Sequence, residues 1–284
     1  MSANKVSKPR PYWHVDAKWL TGIVLLVLLN ITFLIFLLVQ ITAPEQGITL
    51  LATTLASQFS FEGGGLDAQG DVDIMHQKIS ESPDKQWQPI PGMKIIVRAE
   101  DIEGLSPRES RLWFFRQMAA PLYYDGPQGL ADLITDPKMK EGLAQGIGPL
   151  SIISASSHRK MLIALGVSGL VSLLFLGLLV FFSHRFGRLG SPGCVIFLAA
   201  VPNVFLLAAL RGSLENAGQN PEATGAQVML ARYAQLAADV LPAVIQKALT
   251  IYIFLVLLGI ILLLVALLGA LIGRGRKNKT VPTE

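Results

Sequence analysis

The chain has 284 residues, of which 51% are hydrophobic and 15% are charged, and its mean hydropathy is +0.49. An ordinary soluble domain carries about 25% charged residues, so this composition excludes a typical soluble protein. The net charge of +4 could indicate nucleic-acid binding, but the basic residues lie beside apolar segments and form no basic stretch interleaved with aromatic residues. We therefore expect no nucleic-acid partner.

Four apolar segments approach or exceed the length of a bilayer-spanning helix, which needs about 20 residues. They are Leu20–Ile41, Met161–Phe182, Cys194–Leu210 and Thr250–Ile272. Basic flanks at 1–19, 183–191 and 273–284 carry net charges of +3, +2 and +3. Short basic flanks stay cytoplasmic, and these three share one side only if all four segments cross the membrane. The exception is the pair Arg159 and Lys160, which this topology places outside.

The pattern predicts a polytopic α-helical membrane protein with four transmembrane helices, both termini inside, and a mainly helical α+β exoplasmic domain between helices 1 and 2. The expected parts are a cytoplasmic basic tail at 1–19, helix 1 at 20–41, the exoplasmic domain at 42–160, helix 2 at 161–182, a cytoplasmic loop at 183–193, helix 3 at 194–210, an exoplasmic loop with an amphipathic helix at 211–249, helix 4 at 250–272 and a cytoplasmic basic tail at 273–284.

The first segment is predicted to be an uncleaved signal-anchor. A cleaved signal peptide is the alternative, but its apolar region is usually about 7–15 residues long and ends at a small-x-small cleavage site. Here the apolar run is longer, and the nearest alanine, Ala43, is followed by Pro44.

Local motifs predict the elements of the exoplasmic domain, because capping and turn residues mark where helices begin and end. In chain order they are a helix from Pro44 through Leu55, a Gly/Asp-rich loop from Gly63 to Asp73, a turn at Ile90–Gly92, a strand at Met93–Val97, a capping box at Ser106–Glu109 whose helix carries Leu112, Phe115, Met118 and Ala119, a break at Asp125–Pro127, and short helical runs around Leu130–Ile134 and Met139–Leu143.

Small residues at helical spacing in the second and fourth segments predict close helix packing. The stripes are Ala164, Ser168 and Ser172 in the second segment, and Gly259, Ala266 and Gly273, with Gly269, in the fourth. A left-handed helix pair would use the seven-residue spacing of the fourth segment. Such a stripe fits a compact bundle or an oligomer equally well.

The third segment is the shortest, and two readings stay open. Ser191 and Pro192 predict a helix start, with serine as N-cap and proline at the first helical position. Pro202 in mid-segment deprives the carbonyl of Leu198 of its partner and predicts a kink. A re-entrant hairpin is the alternative to a full span, and the basic flanks favour the span.

In the second exoplasmic loop, the spacing of the apolar residues predicts an amphipathic helix, and Pro242 is expected to bend it into the last span. Its apolar residues recur every three or four positions, at Met229, Tyr233, Leu236, Val240 and Val244.

No catalytic residue, cofactor-binding residue or metal ligand is predicted, and no cofactor is expected. Two clusters were weighed and rejected. One is the acidic turn at Asp67, Asp71 and Asp73 with His76, whose spacing is not that of an EF-hand; the other is Ser156, Ser157, His158 and Lys160, whose adjacent positions do not face one another on a helix.

None of the four segments contains Asp, Glu, Lys, Arg or His, which argues against a proton-coupled carrier. Their larger polar residues are Asn30, Gln40, Asn203 and Tyr252, and the two asparagines are expected to hydrogen-bond between helices.

The sequence therefore predicts a non-enzymatic accessory, scaffold or sensing subunit of a membrane complex that acts through its exoplasmic domain. A small transporter or channel with a broken third helix is the alternative. The expected partners are the lipid bilayer and either a protein partner or a second copy of the chain. Because Cys194 is the single cysteine, no intrachain disulfide can form, and we expect a multi-pass protein of the bacterial inner (plasma) membrane.

Overall fold

The computed structural model describes residues 13–58, 69–137, 140, 152–184, 186–217 and 241–277. The named elements of this part of the chain are α1 (Trp13–Ile41), α2 (Pro44–Gln58), α3 (Gln69–Glu81), β1 (Gln86–Trp87), β2 (Val97–Arg98), α4 (Ala99–Ile102), α5 (Pro107–Asp125), α6 (Pro127–Asp132), α7 (Ala155–Phe182), α8 (Gly187–Ala217) and α9 (Leu241–Lys277).

Four of these helices, α1, α7, α8 and α9, are long and apolar enough to cross a membrane. Large apolar side chains on their outer faces are exposed, as they are where a helix meets lipid rather than a protein core. The chain is therefore a multi-pass α-helical membrane protein. It divides into two compact units, one made of residues 1–36, 164–210 and 246–284 and the other of 37–163 and 211–245.

The spanning helices extend beyond the predicted apolar segments. The longest extension is in α9, which begins nine residues before Thr250, and α1 and α8 each begin seven residues before the predicted segments, at Leu20 and Cys194. The added residues of α8 are mainly small or polar, whereas those of α9 include the buried Val244, Ile245 and Ala248. Pro242 is the second described residue of α9, and most of the predicted amphipathic helix, up to Val240, lies outside the described residues, so the bend at Pro242 stays a prediction.

The predicted start of the third span at Ser191 and Pro192 is wrong. The backbone N–H of Gly187 donates to His184 at 3.0 Å and that of Gly190 to Phe186 at 3.1 Å, so a turn is closed before Pro192. The helix also continues through Pro202 to Ala217, a length of 31 residues or about 46 Å. The re-entrant alternative is therefore wrong as well, because no reversal occurs within this helix.

Helices α8 and α9 pack closely through glycines. A Cβ atom at Gly193 would lie 2.8 Å from Cβ of Leu262, and one at Gly259 would lie 3.0 Å from the carbonyl oxygen of Gly193. A Cβ at Gly190 would lie 3.2 Å from that of Ala266. The small-residue stripe predicted on the fourth segment is confirmed as a helix-packing surface at Gly259 and Ala266. Gly273 belongs to α9, and its surroundings lie outside what the structure describes.

Helix α1 contacts α7 and α9 through polar and aromatic side chains. Thr32 Oγ1 lies 3.2 Å from Ser172 Oγ on α7, and Ser172 is buried. The ring of Phe33 packs edge-on against that of Tyr252 on α9, with centroids 4.9 Å apart. Ser172, the last residue of the predicted stripe, thus lies in a helix contact, as expected.

The second unit contains the domain between α1 and α7, residues 42–160, which we call the interspan domain. Its core is a single cluster in which α2 and α5 contribute most of the side chains. The large members from these helices are Leu51, Leu55, Leu112, Phe114, Phe115, Met118, Leu122 and Tyr123. Two predictions are thereby confirmed: the helix that begins at Pro44, and the apolar face of the helix that follows the capping box, which is α5.

The capping box is confirmed: Ser106 Oγ accepts from the N–H of Glu109, and the Glu109 carboxylate accepts from the N–H of Ser106 at 2.9 Å. Gly126, at φ 68°, separates α5 from α6, as the turn residues predict. Of the two helical runs expected next, α6 accounts for the first, and the run at 139–143 lies outside the described residues, apart from Lys140.

Two predictions in this domain need correction. The Gly/Asp-rich segment expected to be a loop as far as Asp73 is already helical from Gln69, because Met75 and Ile79, one turn apart, are buried in the core. The expected strand Met93–Val97 alternates buried and exposed residues but pairs only at its ends, Met93 with Ile134 and Val97 with Trp87.

Candidate functional site

The interspan domain is the part of the described chain that has its own core outside the spanning helices, so the candidate site begins there. Two arginines of α5 reach α2. Arg111 is 2% exposed, and its Nη2 donates to the carbonyl of Ala56 at 2.9 Å. Arg116 Nη2 donates to Thr49 Oγ1 at 3.1 Å. A buried guanidinium near the carbonyl end of α2 complements the negative end of the helix dipole and fixes the helix pair.

A hydrogen-bonded chain, which we call the domain base, links α5 to the beginning and end of the domain. Tyr123 Oη donates to the backbone carbonyl of Thr42 at 2.7 Å. The Thr42 hydroxyl lies 3.3 Å from Nδ1 of His158, in the first turn of α7. Burial raises the pKa of the Tyr123 phenol, with a smaller contribution from Tyr124, so the phenol stays protonated as a donor.

Gly47 makes this geometry possible. A Cβ atom there would lie 2.8 Å from Cε2 of Tyr123 and 3.3 Å from Cγ2 of Ile153. Any larger residue would displace the ring whose hydroxyl reaches Thr42. The domain base therefore depends on a close approach that only glycine allows at this position.

The serines at the start of α7 hydrogen-bond to one another and cap that end of the helix. Ser154 Oγ accepts from the N–H of Ser157 at 3.3 Å and donates to its hydroxyl at 3.1 Å, and it also lies 3.1 Å from Ser156 Oγ. The ring of His158 contacts Thr42 and none of these serines by a hydrogen bond among the described contacts. The cluster Ser156, Ser157, His158 and Lys160 thus does not form a nucleophile–base pair in the structure.

Of the acidic cluster, the structure describes the side chains of two members only. Asp73 and His76 are exposed on α3, and the Asp67 and Asp71 side chains lie outside what the structure describes. In the described part of the chain, no group of three His, Cys, Asp or Glu side chains could hold a metal ion. The histidine His184 is exposed, and the side chain of His14 is outside the described set.

Among the spanning helices, Asn30 on α1 and Asn203 on α8 form one polar contact. Asn203 Nδ2 donates to Oδ1 of Asn30 at 2.8 Å and to the carbonyl of Ala199 at 2.7 Å. Asn30 Nδ2 donates to the carbonyl of Leu26 at 2.8 Å. The prediction that these asparagines hydrogen-bond between helices is confirmed, and the structure pairs them with each other.

Sequence reasoning missed the domain base. Thr42 and Tyr123 are 81 residues apart, and neither residue type carries a motif at such a separation. The local signal was Gly47, a glycine in the interior of a predicted helix, which usually has a packing reason.

No protein-family model, curated protein or solved structure matches the chain.

Proposed function

We propose that this chain is a non-enzymatic accessory, scaffold or sensing subunit of a membrane complex, and that its interspan domain makes the functional contacts. One observation carries the proposal: the interspan domain buries its own core, with Leu51, Phe115 and Tyr123 at most 1% exposed. By contrast, only residues 183–186 connect α7 to α8, too few for a domain.

In the same proposal, the hydrogen bonds of the domain base connect the domain to the membrane helices. Its base joins Thr42, directly after α1, to His158, in the first turn of α7, with Tyr123 of α5 as the link to the core. A ligand that shifts α5 would alter these bonds at two helix ends. An effect on a partner within the bilayer would follow from that change.

We place the interspan domain on the exoplasmic side, with both termini in the cytoplasm, in the bacterial inner membrane. The charges of the flanks at 1–19, 183–191 and 273–284 support this orientation. The test uses a Cys194→Ala chain carrying one new cysteine at an exposed position, either Asp84→Cys in the domain or His184→Cys between α7 and α8. An impermeant thiol reagent added to intact cells should label the first and spare the second. The reverse pattern would overturn the orientation.

The role as a subunit is tested by purifying the full chain from native membranes in mild detergent and identifying bound proteins by mass spectrometry. A stoichiometric partner, retained after a salt wash, supports the proposal. A lone chain that carries or conducts solute in liposomes refutes it and favours the alternative.

That alternative is a small transporter or channel, and the Asn30–Asn203 contact is the feature that favours it, because polar groups between spanning helices can line a path. The unbroken course of α8 removes its other support, since a discontinuous helix was the expected site of binding. We therefore keep it second.

A further inference from the structure

The asparagine pair lies midway along both spans. Asn30 is the eleventh of 22 residues in the apolar segment 20–41, and Asn203 is the tenth of 17 in 194–210. At about 1.5 Å per residue, the end of the longer segment is about 15 Å from Asn30, too far for so short a side chain to reach polar headgroups. Water of the membrane surface is therefore not available to this amide.

The hydrogen bonds of the pair leave one donor and one acceptor unused. Asn203 donates both amide hydrogens, one to Oδ1 of Asn30 and the other to the carbonyl of Ala199. Asn30 donates one amide hydrogen, to the carbonyl of Leu26. Within the described part of the chain, the second N–H of Asn30 has no acceptor and Oδ1 of Asn203 has no donor. Lipid chains supply neither group, and each unsatisfied polar group in hydrocarbon is costly.

The pair opens onto an exposed face of the bundle. Asn30 itself is exposed, and the side chains beside it follow helical spacing on α1 and on α8. The exposed neighbours are Val27, Ile31 and Leu34 on α1 and Leu198, Phe205 and Leu206 on α8, each at least 45% exposed. We call these residues, together with Asn30, Asn203 and Pro202, the amide face.

We propose that the amide face binds a second copy of this chain. In a twofold-symmetric dimer the same surface of both copies meets, and every contact occurs twice. A surface whose polar groups are to be satisfied in this way must carry both a donor and an acceptor. The amide face has that pair: the free N–H of Asn30 on one copy would donate to the free Oδ1 of Asn203 on the other, and the reverse. Two interchain hydrogen bonds would then satisfy all the unused groups counted above. This inference goes beyond the proposed function, because it does not depend on what the interspan domain binds.

The first experiment measures the dimer in lipid vesicles by single-molecule photobleaching of the full chain at low protein density. The test variant is the double substitution N30L/N203L. Replacing both partners together leaves no unsatisfied amide, so the fold should persist, and unchanged helicity is the check. Interhelical hydrogen bonds in membranes are worth about 0.6–2 kcal/mol each, so losing two should weaken the dimer about tenfold or more. The substitution T250L is the matched control, because it also replaces an exposed polar residue of a spanning helix by leucine but lies outside the amide face, and it should change dissociation far less.

The second experiment locates the interface by disulfide cross-linking in native membranes, in a Cys194→Ala chain. Cysteine at Leu206, on the amide face, should link two copies. Cysteine at Leu170 on α7, which is 69% exposed, should not. A monomeric wild type in vesicles, a dimer unaffected by N30L/N203L, or equal cross-linking at both positions would overturn the proposal. Cross-linking of Leu206→Cys to a different protein would also overturn it, and would show that the face belongs to another subunit.

Discussion

The phenolic hydroxyl of Tyr123 donates a hydrogen bond of 2.7 Å to the backbone carbonyl of Thr42, the residue that follows α1. Both residues are buried, at 0% and 7% exposure. Thr42 in turn contacts His158 through its hydroxyl, so this bond fixes α5 to both ends of the interspan domain. We expect it to stabilise the domain more than an exposed hydrogen bond would, because its loss leaves a buried carbonyl without a donor.

Tyr123→Phe should therefore lower the free energy of unfolding of the domain by about 1–3 kcal/mol. Hydrogen–deuterium exchange of the full chain in lipid nanodiscs measures this locally, through faster exchange in α2 and α5. Tyr124→Phe is the matched control, because Tyr124 is 58% exposed and has no hydrogen bond among the described contacts. Equal exchange in the two variants would show that the Tyr123 bond contributes nothing.

The same residue predicts how stability responds to alkaline pH. Burial raises the pKa of Tyr123 above its usual value, so the folded chain holds the phenolic proton more tightly than the unfolded chain. This contribution is fully present below the unfolded pKa, about 10, and is lost as pH rises through the higher folded value. Exchange in α5 should accelerate in that range in wild type, after correction for intrinsic rates, and Tyr123→Phe should remove that part of the dependence. An identical pH response in both chains would contradict the assignment.

The parts of the fold that sequence predicts are those whose signal is local. The capping box at Ser106 and Glu109 has both of its partners within four residues, and asparagines in the middle of two spans predict interhelical hydrogen bonds, because lipid offers their amides no partner. In each case the chemistry of one side chain demands a partner of a specific type. The structure supplies that partner.

The parts that sequence does not predict depend on contacts distant along the chain or on helix ends without apolar residues. The start of α3, from Gln69 to Asp73, is predicted to be a loop because Asp71 and Asp73 suggest a turn, but the burial of Met75 and Ile79 against the core favours a helix there. The start of α8 was placed at Pro192 by a rule for helix starts, and polar residues upstream of it extend the helix to Gly187. Tertiary packing decided both outcomes.

Glycine substitution should separate the α8–α9 contact from simple helix propensity. Gly193→Ala would place Cβ 2.8 Å from Cβ of Leu262 and 3.1 Å from the carbonyl of Gly259, so the helices must separate. We expect the free energy of unfolding to fall by about 1–3 kcal/mol, measured as a lower midpoint in thermal unfolding followed by helicity.

Gly177→Ala on α7 is the control, because no atom lies within 4 Å of the new Cβ. It should leave the midpoint unchanged or raise it slightly, since alanine is the better helix former. Equal losses would mean that α8 and α9 are not packed at Gly193.

The capping box of α5 gives a prediction at acid pH. The Ser106 hydroxyl and N–H, both donating to the Glu109 carboxylate, lower the pKa of Glu109. A lowered folded pKa means that the stabilisation is present above the unfolded pKa, about 4.3, and is lost as pH falls through the folded value.

Ser106→Ala removes the N-cap and one of the two bonds to the Glu109 carboxylate, and it should cost about 0.5–2 kcal/mol at neutral pH. Exchange in the first turn of α5 should then be faster at pH 7 and, as pH falls below the unfolded value of about 4.3, should depend less on pH than in wild type. Ser80→Ala is the matched control, because Ser80 is an exposed serine in the last turn of α3 that donates to the carbonyl of Gln77 and caps no helix start. If Ser106→Ala and Ser80→Ala alter the exchange of α5 to the same extent, the capping box does not hold this helix end.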